Sequence, residues 1–455
     1  MPESIVEPAG SHEPHGEKTP KKAALAGWIG SAVEYYDFFL YGAAAALVFP
    51  DLFFPEADPQ TARLASFATF GVAYIARPIG AVILGHFGDR IGRKTMLIFT
   101  LLVMGFSTIL VGVLPTYAQV GVLAPILLVT LRFLQGLSAA GEQAGANSMS
   151  LEHAPADRRA FFTSFTLSGT QMGLILSTLV FIPIGALPEE ELLSWGWRIP
   201  FLLSAVVVAV GLWVRRSLPE TPAFEEVEED HEKAKFPAAV LVRTHGVDVL
   251  RVVLCALIAV VSTIFSVFTL AYAVDEVGIS RTKMLVVLIV ANLVALAAIP
   301  MWAALSDRIG RKPVFIGGAL GCAAIVWPYM WALSRDNYAL IFVIGVLFSG
   351  VVYSAANGVW PAFYGEMFDT RVRYSGMAIG TQIGFAIAGF APLISEALLN
   401  DGLNGWVPVA VFTSGAAILA ACCAATARET HRVHMLDLGK RGVGLPALVS
   451  ERVQA

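Results

Sequence analysis

The chain has 455 residues, of which 15% are charged and 56% hydrophobic, and its mean hydropathy is +0.68. A soluble protein keeps about a quarter of its residues charged, so composition alone excludes a water-soluble enzyme or binding module and assigns the chain to the lipid bilayer. The net charge of −4 says little about partners, because most of the charge is confined to loops, and nothing in it points to nucleic acid.

The first 20 residues, MPESIVEPAGSHEPHGEKTP, are polar and acidic and lack the basic start and apolar centre of a cleaved signal. Residues 1–22 read as a disordered tail. Apolar runs of about twenty residues, the length of a membrane-crossing helix, follow one another with Gly, Pro or charge between them. They predict spans over 23–49, 62–86, 95–114, 118–142, 160–186, 196–216, 249–274, 283–307, 313–333, 338–362, 375–400 and 405–427. The charged stretch 217–247 reads as a linker between residues 23–216 and 248–427, and 428–455 as a second tail. Most of the 31 Lys and Arg fall in the tails and the even-to-odd loops; Arg63, Arg198, Arg281, Lys283 and Arg335 take the other side. Cations are retained on the cytoplasmic side, so both termini are expected there, in the cell's inner (plasma) membrane. The four cysteines lie in apolar spans, the histidines lie in loops or at helix ends, and neither set has metal-ligand spacing. No metal or cofactor is expected. Phosphate-cradling and nucleophile-elbow motifs are missing too, against a pump or a membrane-embedded enzyme.

Internal repetition organises the chain. GHFGDRIGRK at 85–94 returns as AALSDRIGRK at 303–312, and LEHAPADRRAFF at 151–162 is matched by GEMFDTRVRYSG at 365–376. In the second pair a glutamate precedes an arginine by seven positions each time, Glu152 to Arg159 and Glu366 to Arg373. PETP at 219–222 and RET at 428–430 close the two halves. Three motifs in the same order imply two duplicated six-helix units. Such halves place a substrate site near mid-membrane and expose it alternately to each side.

GHFGDRIGRKTML resembles the loop signature of the major facilitator superfamily. Within it, EYYDFFLYG (34–42), ARPIGA (76–81), RFLQGLSAAGEQAG (132–145) and GWRIPF (196–201) resemble the metabolite–proton symporters, and the run from LVFPDLFFPEADP onward is similar to their shikimate-transporting branch. The chain departs from that group at Gly141-Glu142-Gln143-Ala144-Gly145, where Gly-Glu-Trp-Gly-Gly is common. The resemblance implies an all-α membrane protein of twelve transmembrane helices in two pseudo-symmetric bundles. It also implies proton-coupled import of a small organic acid such as shikimate, working as a monomer with protons and substrate as its partners. A zwitterionic osmolyte (betaine or proline), a dicarboxylate such as 2-oxoglutarate, and a proton antiport mechanism are the alternatives.

Ionisable groups inside spans are expensive and mark function. Glu34 and Asp37, three positions apart, share a helix face and are candidates to carry the coupling proton, or else to pair permanently with Arg77 or Arg132. Arg132 stands in RFLQG, which looks like the superfamily's Arg-x-x-Gln-Gly element linked to proton coupling; a static pair with Glu142 or Asp37 is its other reading. Glu142 is a fourth coupling candidate, or an interfacial ion-pair partner. Arg77 offers a guanidinium to a substrate carboxylate. Tyr41, Gln135, Gln171, Tyr272, Asn292, Asn357, Trp360 and Gln382 are candidate neutral contacts, some of which can equally bridge helices. Gly85, Asp89, Arg90, Gly92 and Arg93 in one loop, and Asp307, Arg308 and Arg311 in the other, are expected to form a gating latch.

Overall fold

The computed structural model describes residues 20–91, 93–185, 187–216, 237–369, 372–400 and 402–439, and among these there is no strand. The long helices are α1 (Pro20–Leu47), α2 (Pro59–Ile91), α3 (Arg93–Val113), α4 (Leu123–His153), α5 (Arg159–Gly185) and α6 (Arg198–Arg216) in one half. The other half holds α7 (Pro237–Ala256, carried on by Ala259–Thr263 and two π-helical turns to Glu276), α8 (Arg281–Ile309), α9 (Arg311–Ser334), α10 (Tyr338–Gly365), α11 (Arg373–Leu398) and α12 (Val407–Thr426). They form the 12 crossings of a two-bundle membrane protein.

Nine of these helices are long and apolar enough to cross a bilayer by composition alone among the described residues. The other three have local reasons. Glu34 and Asp37 dilute the apolar character of α1, the described apolar part of α3 runs only from Ile98 to Val113, and α6 is bent by 42° from the segment before it. The fourth and seventh helices also outrun their expected spans: α4 continues to His153 and α7 begins at Pro237. Hydropathy registers the lipid-buried part of a helix and not the polar turns that extend beyond it.

Helices in lipid gain nothing by hiding apolar surface from one another, so close backbone approach at small residues holds them. A Cβ on Gly80 would stand 2.2 Å from the Leu137 carbonyl oxygen, and one on Gly136 would stand 2.3 Å from that of Ala73, which locks α2 against α4. Gly350 and Gly358 play the same part between α10 and α8. Gly169 and Gly173 seat α5 on α1, and Gly384 seats α11 on α7. The duplication seen in the loop motifs is therefore repeated in the packing. The halves meet where α5 packs against α8 and α2 against α11.

Gly136→Val inserts methyls against backbone that cannot yield and is expected to cost about 2 kcal/mol or more. Gly317→Ala, at an exposed position with open space around it, should leave the thermal unfolding midpoint in detergent unchanged while Gly136→Val lowers it.

Candidate functional site

Four charged side chains from three helices are buried together inside the first half: Glu34 and Asp37 on α1, Arg77 on α2 and Arg132 on α4, none more than 2% exposed. The three-residue spacing of the two carboxylates sends them to different partners. Glu34 pairs with Arg77, Oε1 to Nη2, at 3.5 Å. Asp37 accepts a hydrogen bond from the Thr108 hydroxyl at 3.1 Å. Thr108 accepts from Gln135 Nε2 at 2.7 Å, and the Gln135 oxygen accepts from Arg132 Nη1 at 3.1 Å. Arg132 and Asp37 are thus joined by a relay of two neutral side chains and not by a direct ion pair, contrary to one of the sequence readings.

The Arg132 guanidinium sits over the rings of Tyr41 at 4.1 Å, Phe38 at 4.5 Å and Phe70 at 5.0 Å. Aromatic faces are negative at their centres, so they supply part of what a carboxylate would. Arg77 is held over Phe38 and Tyr74, at 4.8 Å and 5.3 Å. Aromatic residues at 38, 41, 70 and 74 thereby solvate two cations at membrane depth, which explains the density of rings in EYYDFFLYG.

Two cavities meet at this cluster. A small one of about 250 Å³ is lined by Glu34, Asp37, Arg132 and Gln135. A larger one of about 740 Å³ lies between the halves, with Tyr35, Gln143, Thr170 and Gln171 on one side and Ser262, Thr263, Tyr353, Asn357 and Trp360 on the other. Phe38 and Arg77 line both. A single arginine therefore faces a carboxylate pocket and an inter-half chamber. A third space of about 890 Å³, with Ser177, Ser266, Arg281 and Asn292 in its walls, shares Phe39 with the chamber.

Of the neutral candidates, Gln171, Asn357 and Trp360 reach the chamber with Arg77, and the Trp360 indole donates to Asn357 Oδ1 at 3.2 Å. The others lie elsewhere. Tyr41 is fully buried and donates to Thr69 at 2.8 Å, Gln135 belongs to the relay, and Asn292 faces the third space. Tyr272 stacks on Phe268, with ring centroids 5.9 Å apart, and lines none of these three cavities. Gln382 is buried on α11 outside them. Tyr35, Gln143, Thr170, Ser262 and Thr263 were not anticipated. The polar Ser-Thr pair in VVSTIFS is the one visible hint, because two adjacent hydroxyls interrupt an otherwise apolar run.

The end of the bundle that carries the repeated motifs is closed by a second charged cluster. Asp307 on α8 accepts the backbone N–H groups of Ala160 at 3.0 Å and Phe161 at 2.9 Å, capping α5 of the opposite half where the helix dipole is positive. It also accepts from Arg311 at 2.6 Å. Arg311 makes a two-pronged contact with Glu366, at 3.2 and 3.0 Å. The duplicated Glu/Arg pairs cross over: Arg159 reaches Glu366 at 3.2 Å and Arg373 reaches Glu152 at 3.8 Å, each joining one half to the other. Glu429 of the RET motif accepts the N–H groups of Arg311 and Lys312 at 2.9 and 3.0 Å. Asp307 and Arg311 thus stand in a charged cluster at the end where the halves meet. Arg308 is exposed and takes no part, since the next residue along a helix points about 100° away. Gly92 and the side chains of Asp89, Arg90, Arg93 and Glu142 lie outside the described residues, and Gly85 falls within α2.

Burial favours the neutral form of Glu366, but Arg311 and Arg159 outweigh it and hold the carboxyl below its ordinary value of 4.5. A lowered carboxyl stabilises fully above the unfolded-state value and loses its effect as pH falls through the folded one. The Glu366 contacts should therefore keep their strength between about pH 5 and 8. Glu366→Gln removes the carboxylate that buried Arg159 reaches across the halves, while Arg311 keeps Asp307, and is expected to cost about 3 kcal/mol of inter-half closure, read as faster thiol labelling at the motif end. Arg308→Ala should leave that labelling as it is.

A family model described as "Sugar (and other) transporter" matches residues 23–248 and 226–437. The chain is 38% identical over 419 residues to the shikimate transporter of Escherichia coli (strain K12), covering 90% of this chain and 95% of the relative. It is 34% identical over 399 residues to the glycine betaine/proline/ectoine/pipecolic acid transporter OusA of Dickeya dadantii (strain 3937), with 85% and 79% covered. Its fold is similar to the partially occluded, inward-open xylose transporter XylE from E. coli, with a TM-score of 0.68 and 17% identity over 91% of this chain and 99% of the other. With a two-bundle fold, a chamber between the halves and matches that span nearly the whole chain, the protein belongs to the sugar (and other) transporter family of the major facilitator superfamily, a multi-pass membrane transporter of small molecules and not an enzyme.

Proposed function

We propose that this transporter imports a small carboxylic acid of the shikimate kind together with a proton, by alternating access, as a monomer in the bacterial inner membrane with its motif end and termini in the cytoplasm. The observation that carries this reading is the double placement of Arg77. Its guanidinium is paired with Glu34 on one side and forms a wall of the inter-half chamber on the other. A carboxylate stays ionised while a cation faces it and takes up a proton when that cation is engaged elsewhere. A substrate carboxylate that draws Arg77 into the chamber would leave Glu34 to accept a proton, linking cargo to proton stoichiometrically. Asp37, tied to Arg132 through Thr108 and Gln135, is a second carboxylate beside Glu34 to which the proton can pass, and the proton leaves with the cargo before the empty carrier returns.

Recognition beyond the carboxylate falls to neutral groups. Gln171, Asn357, Ser262 and Thr263 offer donors and acceptors for hydroxyls, and Tyr353 and Trp360 offer flat surfaces for a ring. The 38% identity to a shikimate transporter supports this class of cargo. A site that holds both Arg77 and Glu34 also suits a zwitterion, the reading favoured by the OusA relationship. Uptake of labelled shikimate, other monocarboxylates, 2-oxoglutarate, betaine and proline by expressing cells, with and without a protonophore, separates these. Concentrative uptake of a hydroxylated monocarboxylate that the protonophore abolishes is expected; protonophore-insensitive uptake, or export driven by inward proton flow, would reject symport.

Arg77→Ala should raise the transport Km about tenfold or more, the loss of a charge-assisted hydrogen bond. An unchanged Km would remove Arg77 from the binding site. Asp37→Asn is expected to abolish accumulation while substrate exchange between the two sides persists. Normal accumulation by that variant would exclude Asp37 from coupling.

A further inference from the structure

Two amide side chains between the chamber and the latch have no use in the arrangement so far described. Asn147 on α4 and Gln382 on α11 are both 0% exposed, and neither the oxygen nor the nitrogen of either amide finds a hydrogen-bond partner. Buried amides are ordinarily satisfied, and one left without partners is expensive.

Their positions give these orphans a common address. On α4, helical spacing sets Ala140, Gln143, Asn147 and Leu151 along one stripe. Gln143 lines the chamber, Ala140 packs against Ala81 and Ala378, and Leu151 packs with Ala160, Ala303 and Ala362 beneath the latch. Ser148, beside Asn147, donates to the Met377 sulfur of α11 at 3.8 Å. On α11, Gln382 stands one turn from Ala378, which touches the opposite half, and one turn from Phe385, which lines the chamber. Both amides thus lie on the seam between the halves, between the chamber and the closed motif end.

We propose that Asn147 and Gln382 line the passage through which cargo leaves the chamber once the latch opens, and that their amides hydrogen-bond its hydroxyl and carboxylate groups on the way out. The inference rests on the alternating-access reading above and extends it to the exit. A polar solute crossing a seam closed by alanines needs hydrogen-bonding groups in its path, and these two amides are the groups held in reserve there. Being unsatisfied while the seam is shut, they also oppose the ion pairs of the latch, so the closed state is left poised to open.

Single cysteines at Asn147, Gln382 and, as a chamber control, Gln171 would be placed in a transport-active background lacking the four native cysteines. An impermeant thiol reagent is applied to the face bearing the termini, with the latch intact and with Glu366→Gln. The cysteines at 147 and 382 are expected to react about tenfold faster or more when the latch is weakened, and added substrate should slow them. Reaction at 171 without reaction at 147 and 382 would overturn the inference and leave alternating access standing. No reaction at 171 either would sink alternating access, and the exit with it. As a second readout, Asn147→Leu and Gln382→Leu should raise the thermal midpoint and slow substrate release about tenfold, with affinity from the opposite face unchanged. Unaltered release in both variants would assign the amides to packing alone.

Discussion

The organisation of this molecule follows from one constraint: an ionised side chain at membrane depth has to be solvated by the protein itself. Arg132 meets this with three aromatic rings and one amide oxygen, Arg77 with two rings and a carboxylate. That requirement fixes which helices come together. α1 brings the carboxylates and the rings of Phe38 and Tyr41, α2 brings Arg77, Phe70 and Tyr74, and α4 brings Arg132. The glycine contacts that press α2 on α4 and α5 on α1 then bring these groups within reach. The second half carries no comparable charged cluster at this depth among the described residues, and its contribution to the chamber is hydroxyl, amide and ring.

The closed end uses the same chemistry to a different purpose. Buried ion pairs contribute little net stability, because the cost of desolvating both partners offsets most of their attraction. Their value here is selectivity between arrangements. Glu366 can be surrounded by Arg159, Arg311 and Thr430 only when the halves are closed at this end. Each half gives an arginine to the other's glutamate, so the duplication produces a reciprocal lock from one ancestral motif. Both crossed pairs span the halves, so separating the halves at this end would break them together.

Much of the fold was legible from hydropathy and repetition, because lipid imposes both the length and the apolar character of each crossing. The buried charges were legible for the same reason: Glu34, Asp37, Arg77 and Arg132 stand out in runs that otherwise exclude them. Rotational phase was not legible. A helix apolar on all sides gives no sign of which face meets the chamber, so Tyr41 and Gln135 turn out to serve Arg132, and Asn292 opens on another space. The seven-residue Glu/Arg spacing revealed that the halves repeat but not that the pairs exchange partners between them. Chamber residues such as Tyr35 and Thr170 are neutral and common, and only their three-dimensional placement distinguishes them.

Coupling between cargo and proton at the shared arginine is reported most directly by the pH inside proteoliposomes. With purified transporter, no imposed proton gradient and a potassium clamp on membrane potential, an inward gradient of a transported carboxylate should acidify the lumen in step with substrate entry, beyond protein-free vesicles. Substrate entry at the same rate with no added acidification would contradict the account.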